Sequence, residues 1–228
     1  MSKKKSSIPI FIAIPNQGSI HIRVANMITE MVIYCYKTKK YEPTIRYSKV
    51  TGIDHNRNEI AYQFLKTDCQ WLLMIDDDNP PLKNPLELIE LNKDVIVCPT
   101  LMYKGGDDTK IAYNVFKEKK DRIETLVYRG GSRLQQIDRG GSGCILIRRD
   151  VLESMDKPFE SIIDQKTGRR IIGEDIAFSL KARQKGFKIF THWGYSCSHY
   201  KVVDLLDVAR FTINTINRQK VNDIKSKK

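Results

Sequence analysis

Three consecutive carboxylates, Asp76, Asp77 and Asp78, follow the apolar run CQWLLMI at Cys69–Ile75 and precede Asn79, Pro80 and Pro81. Adjacent carboxylates repel one another, so something cationic must neutralise them. Hard oxygen donors beside a phosphate-bearing substrate suit Mg2+ or Mn2+, which keep positions open for phosphate oxygens and water. The competing reading is a solvated acidic turn that caps the next segment. The buried-type strand before the triplet and the Asn-Pro-Pro stop after it favour the metal reading. In an open α/β sheet, ligands bind beyond the carboxyl ends of the strands, and the triplet falls there.

These acids need a sheet to present them, and the chain supplies one. The apolar run IPIFIAI at Ile8–Ile14 reads as a central parallel strand and ends at Pro15, Asn16, Gln17 and Gly18. Ile20–Tyr36 has helical spacing, Thr44–Val50 alternates as a strand, and Arg57–Lys66 places Ile60, Ala61, Phe64 and Leu65 on one helical face. After the Cys69–Ile75 strand, Asn84 and Pro85 open a short helix through Leu91, and Asp94–Thr100 supplies another buried strand. Met102–Gln136 is interrupted by Gly105, Gly106, Asp107, Asp108 and a charged stretch, and reads as a hairpin insertion with mobile loops. Gly140–Gly143 leads into a short strand at Cys144–Ile147 and a helix at Arg149–Met155. Glu174 and Asp175 open a helix that ends at Gly186; a last strand region at Lys188–Tyr195 and a helical stretch at Val202–Ile216 follow. A carboxylate at a helix N-terminus is held ionised by the dipole and can accept a proton from a hydroxyl. The alternation of strand and helix predicts an α/β fold, parallel in its first hundred residues and more mixed afterwards.

Length and composition narrow the classes. A chain of 228 residues is one domain, or one domain with an appendage, and buries roughly 70 per cent of its unfolded surface without needing disulfides. No window approaches the apolar length of a membrane span, and the N-terminus lacks a secretory cleavage pattern. Five scattered cysteines without a CxxC spacing read as reduced and mostly buried, which points to a cytoplasmic protein. HExxH, GxSxG and GxxxxGK[ST] are absent, so the zinc protease, serine hydrolase and P-loop classes lack their key residues.

The sequence resembles glycosyltransferases of the GT-A type, family 2-like, which have a Rossmann-like domain and a DxD motif. The likeness runs through IPIFIAIPN (Ile8–Asn16), NRNEIAYQFL (Asn56–Leu65), WLLMIDDDNPP (Trp71–Pro81), GGSGCILIRRDVLE (Gly140–Glu153), GEDIAFSLKARQKGFKI (Gly173–Ile189) and SHY (Ser198–Tyr200). The resemblance implies a single-domain α/β fold with a mixed, mostly parallel sheet flanked by helices. It divides the chain into a basic flexible N-terminus (1–7), a catalytic domain (8–200) and a C-terminal helix with a basic tail (201–228). Residues 8–100 would form the nucleotide-sugar half and 101–200 the acceptor half.

The resemblance also assigns roles. Asp76 and Asp78 match the DxD carboxylates, and His199 matches the late histidine that completes a metal site in part of the superfamily, so Asp76, Asp78 and His199 are the implied Mn2+ or Mg2+ ligands. Pro15, Asn16, Gln17, Arg57, Asp76, Asp77, Gly141 and Ser142 are the implied donor-binding residues. Asp175 matches the general base of inverting enzymes, with Glu174 in support; a late metal histidine also occurs in retaining families, where Asp175 would bind hydroxyls instead.

The implied reaction moves a sugar from a nucleoside diphosphate sugar, UDP-linked by preference, to a hydroxyl. The compact design resembles phage or bacterial enzymes. With a net charge of +12, hydroxymethylated bases in DNA become a candidate acceptor, and a cell-surface polysaccharide or glycan is the alternative. Two readings of other classes stay open: a nucleic-acid-binding module on a degenerate transferase fold, and a nucleotidyltransferase that consumes a nucleoside triphosphate. The termini concentrate the charge, since Lys3–Lys5 and Asn217–Lys228 together carry +7 of the +12.

Overall fold

Strand Ile8–Pro15 (β1) is buried from Ile10 onward, as an apolar run of this length demands. The computed structural model describes residues 7–104, 110–120 and 122–226, so Gly105–Asp108 and nearly all of the basic N-terminal segment 1–7 lie outside the described residues. Helix Ile22–Thr38 (α1) follows, burying Val24, Ile28, Met31 and Cys35, a stripe at helical spacing. Strand Tyr41–Ser48 (β2) then pairs in parallel with β1. Helix Ile53–Leu65 (α2) begins four residues earlier than the apolar face suggests. Its buried stripe includes Asn56 and Arg57 as well as Ile60, Ala61 and Phe64.

Strand Trp71–Ile75 (β3) is buried at every position and pairs in parallel with β1. A 3-10 turn at Pro85–Leu91, capped by the Asn84 side chain, leads to strand Val95–Val97 (β4). The expected strand Asp94–Thr100 is cut short: Pro99 has no N–H for a ladder, and the Thr100 N–H bonds the Asn114 side chain at 2.9 Å. The predicted hairpin insertion is present. Leu101–Lys104 (β5) pairs with Lys110–Tyr113 (β6), and Val115–Lys119 (β7) pairs with Arg122–Thr125 (β8). Leu134–Ile137 (β9) joins the main sheet, and Arg139–Gly140 (β10) pairs with β7.

Strand Cys144–Arg148 (β11) inserts between β3 and β4 and runs antiparallel to both. Helix Arg149–Glu153 (α3), a small ladder of Ile162–Ile163 (β12) with Arg170–Ile172 (β13), and helix Glu174–Gln184 (α4) come next. Strand Ile189–His192 (β14) is parallel to β4, and a 3-10 turn at Trp193–Tyr195 leaves it. Helix Leu205–Ser226 (α5) extends beyond the expected Ile216.

Among the described residues the main sheet has seven strands in the order β2-β1-β3-β11-β4-β14-β9. Five of them run one way, and β11 and β9 run against them. This is the expected mixed α/β sheet flanked by helices. Apolar cores cover both faces: Phe11, Phe64, Leu72 and Phe178 belong to one, and Ile12, Met31, Leu73 and Leu146 to the other. The two halves of the chain share the sheet, because β9, β11 and β14 complete what β1–β4 begin. The direction of β11 brings its preceding loop, Gly141–Gly143, to the edge where β3 ends. Among the described residues no helix is long and apolar enough to cross a membrane.

Candidate active site

The acid triplet leaves the carboxyl end of β3, and β11 fixes its first member: the Asp76 N–H donates to the Gly143 carbonyl at 2.8 Å. The Asp76 carboxylate accepts both of its oxygens' bonds from Arg57 Nη2, at 2.8 and 2.9 Å. Arg57 Nη1 donates to Glu174 Oε1 at the start of α4. One guanidinium, only 4% exposed, therefore ties the end of β3 to the N-terminus of α4. The sequence builds this clamp through helix periodicity. Arg57 precedes Ile60, Ala61 and Phe64 by three, four and seven residues and so shares their inward stripe, and Glu174 precedes Ala177 and Phe178 in the same way. An arginine fork is suited to bridging two carboxylates in this manner.

Asp175 sits beside the clamp, its Oδ1 accepting the Ile176 N–H at 2.7 Å. Burial pushes the Asp175 carboxyl above the usual carboxylate range, and the Arg57 charge and the Ile176 N–H only partly reverse this. Burial likewise raises Glu174 against the pull of Arg57. Asp77 is raised by burial and by its neighbour Asp78. Its carbonyl accepts the His21 N–H at 2.8 Å, which fixes the entry to α1 against the triplet.

Asp78 is the most heavily attended of the three acids. Lys201 Nζ lies 2.6 Å from its Oδ2, His199 Nε2 lies 3.7 Å from the same oxygen, and the Asn79 side chain donates to Oδ1. The segment that carries His199 and Lys201 is docked by backbone bonds: the Ser198 N–H donates to the Pro80 carbonyl and the Tyr200 N–H to the Asp78 carbonyl, each at 3.0 Å. The Tyr200 ring stacks on His21, with centroids 3.8 Å apart.

Asp78 and His199 are the two members of the implied metal set that the fold places side by side, with Lys201 already on the Asp78 carboxylate. His199 Nδ1 is 2.8 Å from the Leu101 carbonyl and so donates to it, which turns Nε2, the ring atom available to a ligand, towards the Asp78 carboxylate. Asp76, in contrast, is turned to Arg57. The implied set of Asp76, Asp78 and His199 is thus brought to one edge of the sheet, with Asp78 and His199 adjacent and Asp76 engaged separately.

The other expected residues rim the same edge. Asn16 closes its own turn, its Oδ1 accepting the Gly18 N–H at 2.9 Å and its amide donating to the Ile14 and Ser48 carbonyls. Pro15 is buried at the end of β1, and Gln17 is exposed. Gly141 and Gly143 are required by space. A Cβ at Gly141 would land on the Asn114 amide, and one at Gly143 on the Asn79 amide. Between them, the buried Ser142 hydroxyl finds no partner among the described residues. An orphaned hydroxyl at this edge is suited to a ligand's polar group. An open cavity of about 230 Å³ lies past the triplet on the side of α1, lined by Arg23, Met27, Pro80, Leu82, Ser198 and Tyr200 among others, and none of the three acids lines it.

Sequence reasoning missed Lys201 and the convergence of three of the cysteines. The Lys201 signal was its place two residues after His199. All five cysteines are free and buried, as expected. Far apart in sequence, Cys98, Cys144 and Cys197 nevertheless converge beneath the triplet, their sulfurs within 4.8 Å of one another.

No protein-family model and no curated protein matches the chain. Solved structures do share its fold. The crystal structure of A197 from STIV superposes with a TM-score of 0.57 at 18% identity, covering 86% of this chain and 87% of that one. GalNAc-T7 with UDP, GalNAc and Mn2+ reaches 0.49 at 12% identity, over 87% of this chain and 45% of that one. The nucleoside-diphosphate-sugar pyrophosphorylase from Vibrio cholerae RC9 reaches 0.41 at 14% identity, over 82% and 73%. The first likeness shows a common fold; the other two are too distant to carry an argument.

Proposed function

We propose that this chain is a metal-dependent glycosyltransferase that moves a sugar from a nucleoside diphosphate sugar, with UDP as the preferred nucleotide, to a hydroxyl acceptor. The observation that carries the reading is the Asp76–Arg57–Glu174 clamp, because it joins an acid triplet that with a divalent cation can receive a diphosphate to a helix N-terminus that presents a buried carboxylate. Asp78 and His199 would hold Mn2+ or Mg2+, which when bound supplies charge neutralisation to the diphosphate leaving group. Asp76, oriented by Arg57, and Asp77 are assigned to the donor, with Pro15, Asn16 and Gln17 at the nucleoside and Gly141 and Ser142 at the sugar.

Asp175 is assigned as the proton acceptor of an inverting transfer. Its Oδ1 is taken by the Ile176 N–H, which leaves Oδ2 to receive the acceptor's proton. Glu174 supports it by anchoring Arg57, whose positive charge favours the ionised, accepting form of Asp175. A base poised above the ordinary carboxylate range transfers protons more effectively near neutral pH. The acceptor assigned is a hydroxymethylated base in DNA, supported by the +7 that the two ends of the chain contribute.

The test is thermal unfolding with UDP and Mn2+, followed by hydrolysis of a panel of nucleotide sugars. Stabilisation that vanishes in Asp78→Ala, with turnover of one donor, supports the reading. No response to any nucleotide, with DNA binding retained, replaces it with the nucleic-acid-binding module. DNA as acceptor predicts affinity that falls steeply with salt and drops when residues 1–6 and 217–228 are removed. Salt-insensitive turnover on an oligosaccharide would assign the glycan instead.

A further inference from the structure

Three chain segments meet one layer below the acid triplet, and each brings a cysteine. Cys144 opens β11 and faces Ile75, the last residue of β3. Cys98 follows β4 and donates its N–H to the Cys144 carbonyl at 2.9 Å. Cys197 follows the Trp193–Tyr195 turn, and its N–H bonds the Pro99 carbonyl at 2.8 Å. Backbone bonds therefore fix all three residues against one another, while their sulfurs lie within 4.8 Å of each other, buried and unpaired by disulfides.

We propose that Cys98, Cys144 and Cys197 form a binding site for a thiophilic d10 metal ion, distinct from the carboxylate and histidine site at the sheet edge. Three sulfurs each about 2.3 Å from a shared ion stand about 4 Å apart in a trigonal plane, so side-chain rotations suffice to close the ring around it. Thiolate sulfur selects Cu(I) and Zn(II) over the hard ions that carboxylates prefer, so the two sites would not compete for one metal. Among the described residues no histidine, carboxylate or further cysteine joins the trio within that distance. Three-sulfur coordination favours Cu(I), whereas Zn(II) normally takes a fourth donor. Binding displaces the thiol protons to solvent, and no electron is transferred.

The site does not depend on sugar transfer, and its test is independent of that reading. The reduced full-length chain is titrated anaerobically with Co(II), standing in for Zn(II), and separately with Cu(I) against a chromophoric chelator. The expected result is one equivalent bound with sulfur-to-metal charge-transfer absorption, and protection of three thiols from a thiol reagent. The signal should be lost in Cys197→Ser and Cys98→Ser and kept in Asp78→Ala, Cys35→Ser and Cys69→Ser. Uptake of Cu(I) alone assigns the trigonal ion; uptake of Co(II) with a tetrahedral spectrum assigns the divalent one. Absence of charge-transfer absorption with both ions overturns the proposal, as does a signal that survives Cys197→Ser or disappears in Asp78→Ala. Should a serine variant fail to fold by circular dichroism, the unaltered chain decides the matter: because all five thiols are buried, their rates of modification in moderate urea are compared with and without the metal, and the absence of metal-dependent slowing at three thiols refutes the site.

Discussion

Replacing Arg57 with methionine keeps the volume and apolar stem of the side chain but strips Asp76 and Glu174 of their shared cation. Arg57 is 4% exposed, and the side chains of Asp76 and Glu174 are 23% and 9% exposed, so solvent does little to compensate. Removing one partner of a buried ion pair costs about 3–5 kcal/mol. For a chain of this length each kcal/mol moves the midpoint by about 2–4 °C, which places the variant roughly 6–20 °C below the parent at neutral pH. The pH dependence identifies the cause. Burial already raises the Glu174 carboxyl against the pull of Arg57, so without the guanidinium it titrates further above its unfolded value, near 4.3. The folded state then binds more protons than the unfolded state above that value, so stability falls as pH rises from there through the raised titration of Glu174. The deficit of Arg57→Met should be largest near pH 7.5 and shrink towards pH 4, and adding Glu174→Gln should recover part of it. Calorimetry across that range compares both variants with the parent. A pH-independent deficit would mean lost packing rather than uncompensated charge, and a fully stable Arg57→Met would refute the clamp.

Asp175→Asn should reduce transfer by about 10²- to 10⁴-fold, read as donor turnover with saturating acceptor. It should also raise stability at neutral pH, because the raised Asp175 carboxyl binds a proton more readily when folded and its ionisation destabilises the fold as pH climbs. Lys201→Ala removes an ammonium that competes for Asp78 in a half-exposed pair, so Mn2+ affinity by calorimetric titration should rise by about two- to fivefold, equivalent to about 0.5–1 kcal/mol. Gly143→Ala forces a Cβ onto the Asn79 amide and should cost about 1–3 kcal/mol in urea unfolding, whereas Gly131→Ser at the open Gly130–Gly131 turn meets no neighbouring atom and serves as a strain-only control.

Much of the fold was legible in the sequence. The apolar runs Ile8–Ile14 and Cys69–Ile75 mark two strands, buried from Ile10 and from Trp71 onward, and the stripe of α1 and the apolar part of the α2 stripe follow from spacing. The direction of β11 was not legible, because CILIR is equally apolar either way and its orientation is decided by the neighbours it finds, β3 and β4. In the candidate site, the acid triplet and the Glu174–Asp175 pair were visible as charges at element ends. Arg57 was read as a nucleotide contact; its place on the α2 stripe was visible, yet its partners are set by how α2 and α4 pack. The Lys201 ion pair and the cysteine trio depend on segments far apart in sequence, which local pattern does not reveal.

The insertion of β11 also sets the order in which the protein can be assembled. β3 and β4 are successive strands of the main sheet in sequence, yet they never pair; each bonds β11 instead. A nascent chain that has emerged only through residue 100 therefore holds two facing strand edges with a gap one strand wide between them, and such edges invite pairing with another chain. The sheet closes only when residues 144–148 arrive, and that single event also delivers the Gly143 carbonyl to Asp76. Folding of the core and formation of the candidate site thus become one cooperative step, and fragments that end before β11 should aggregate rather than fold.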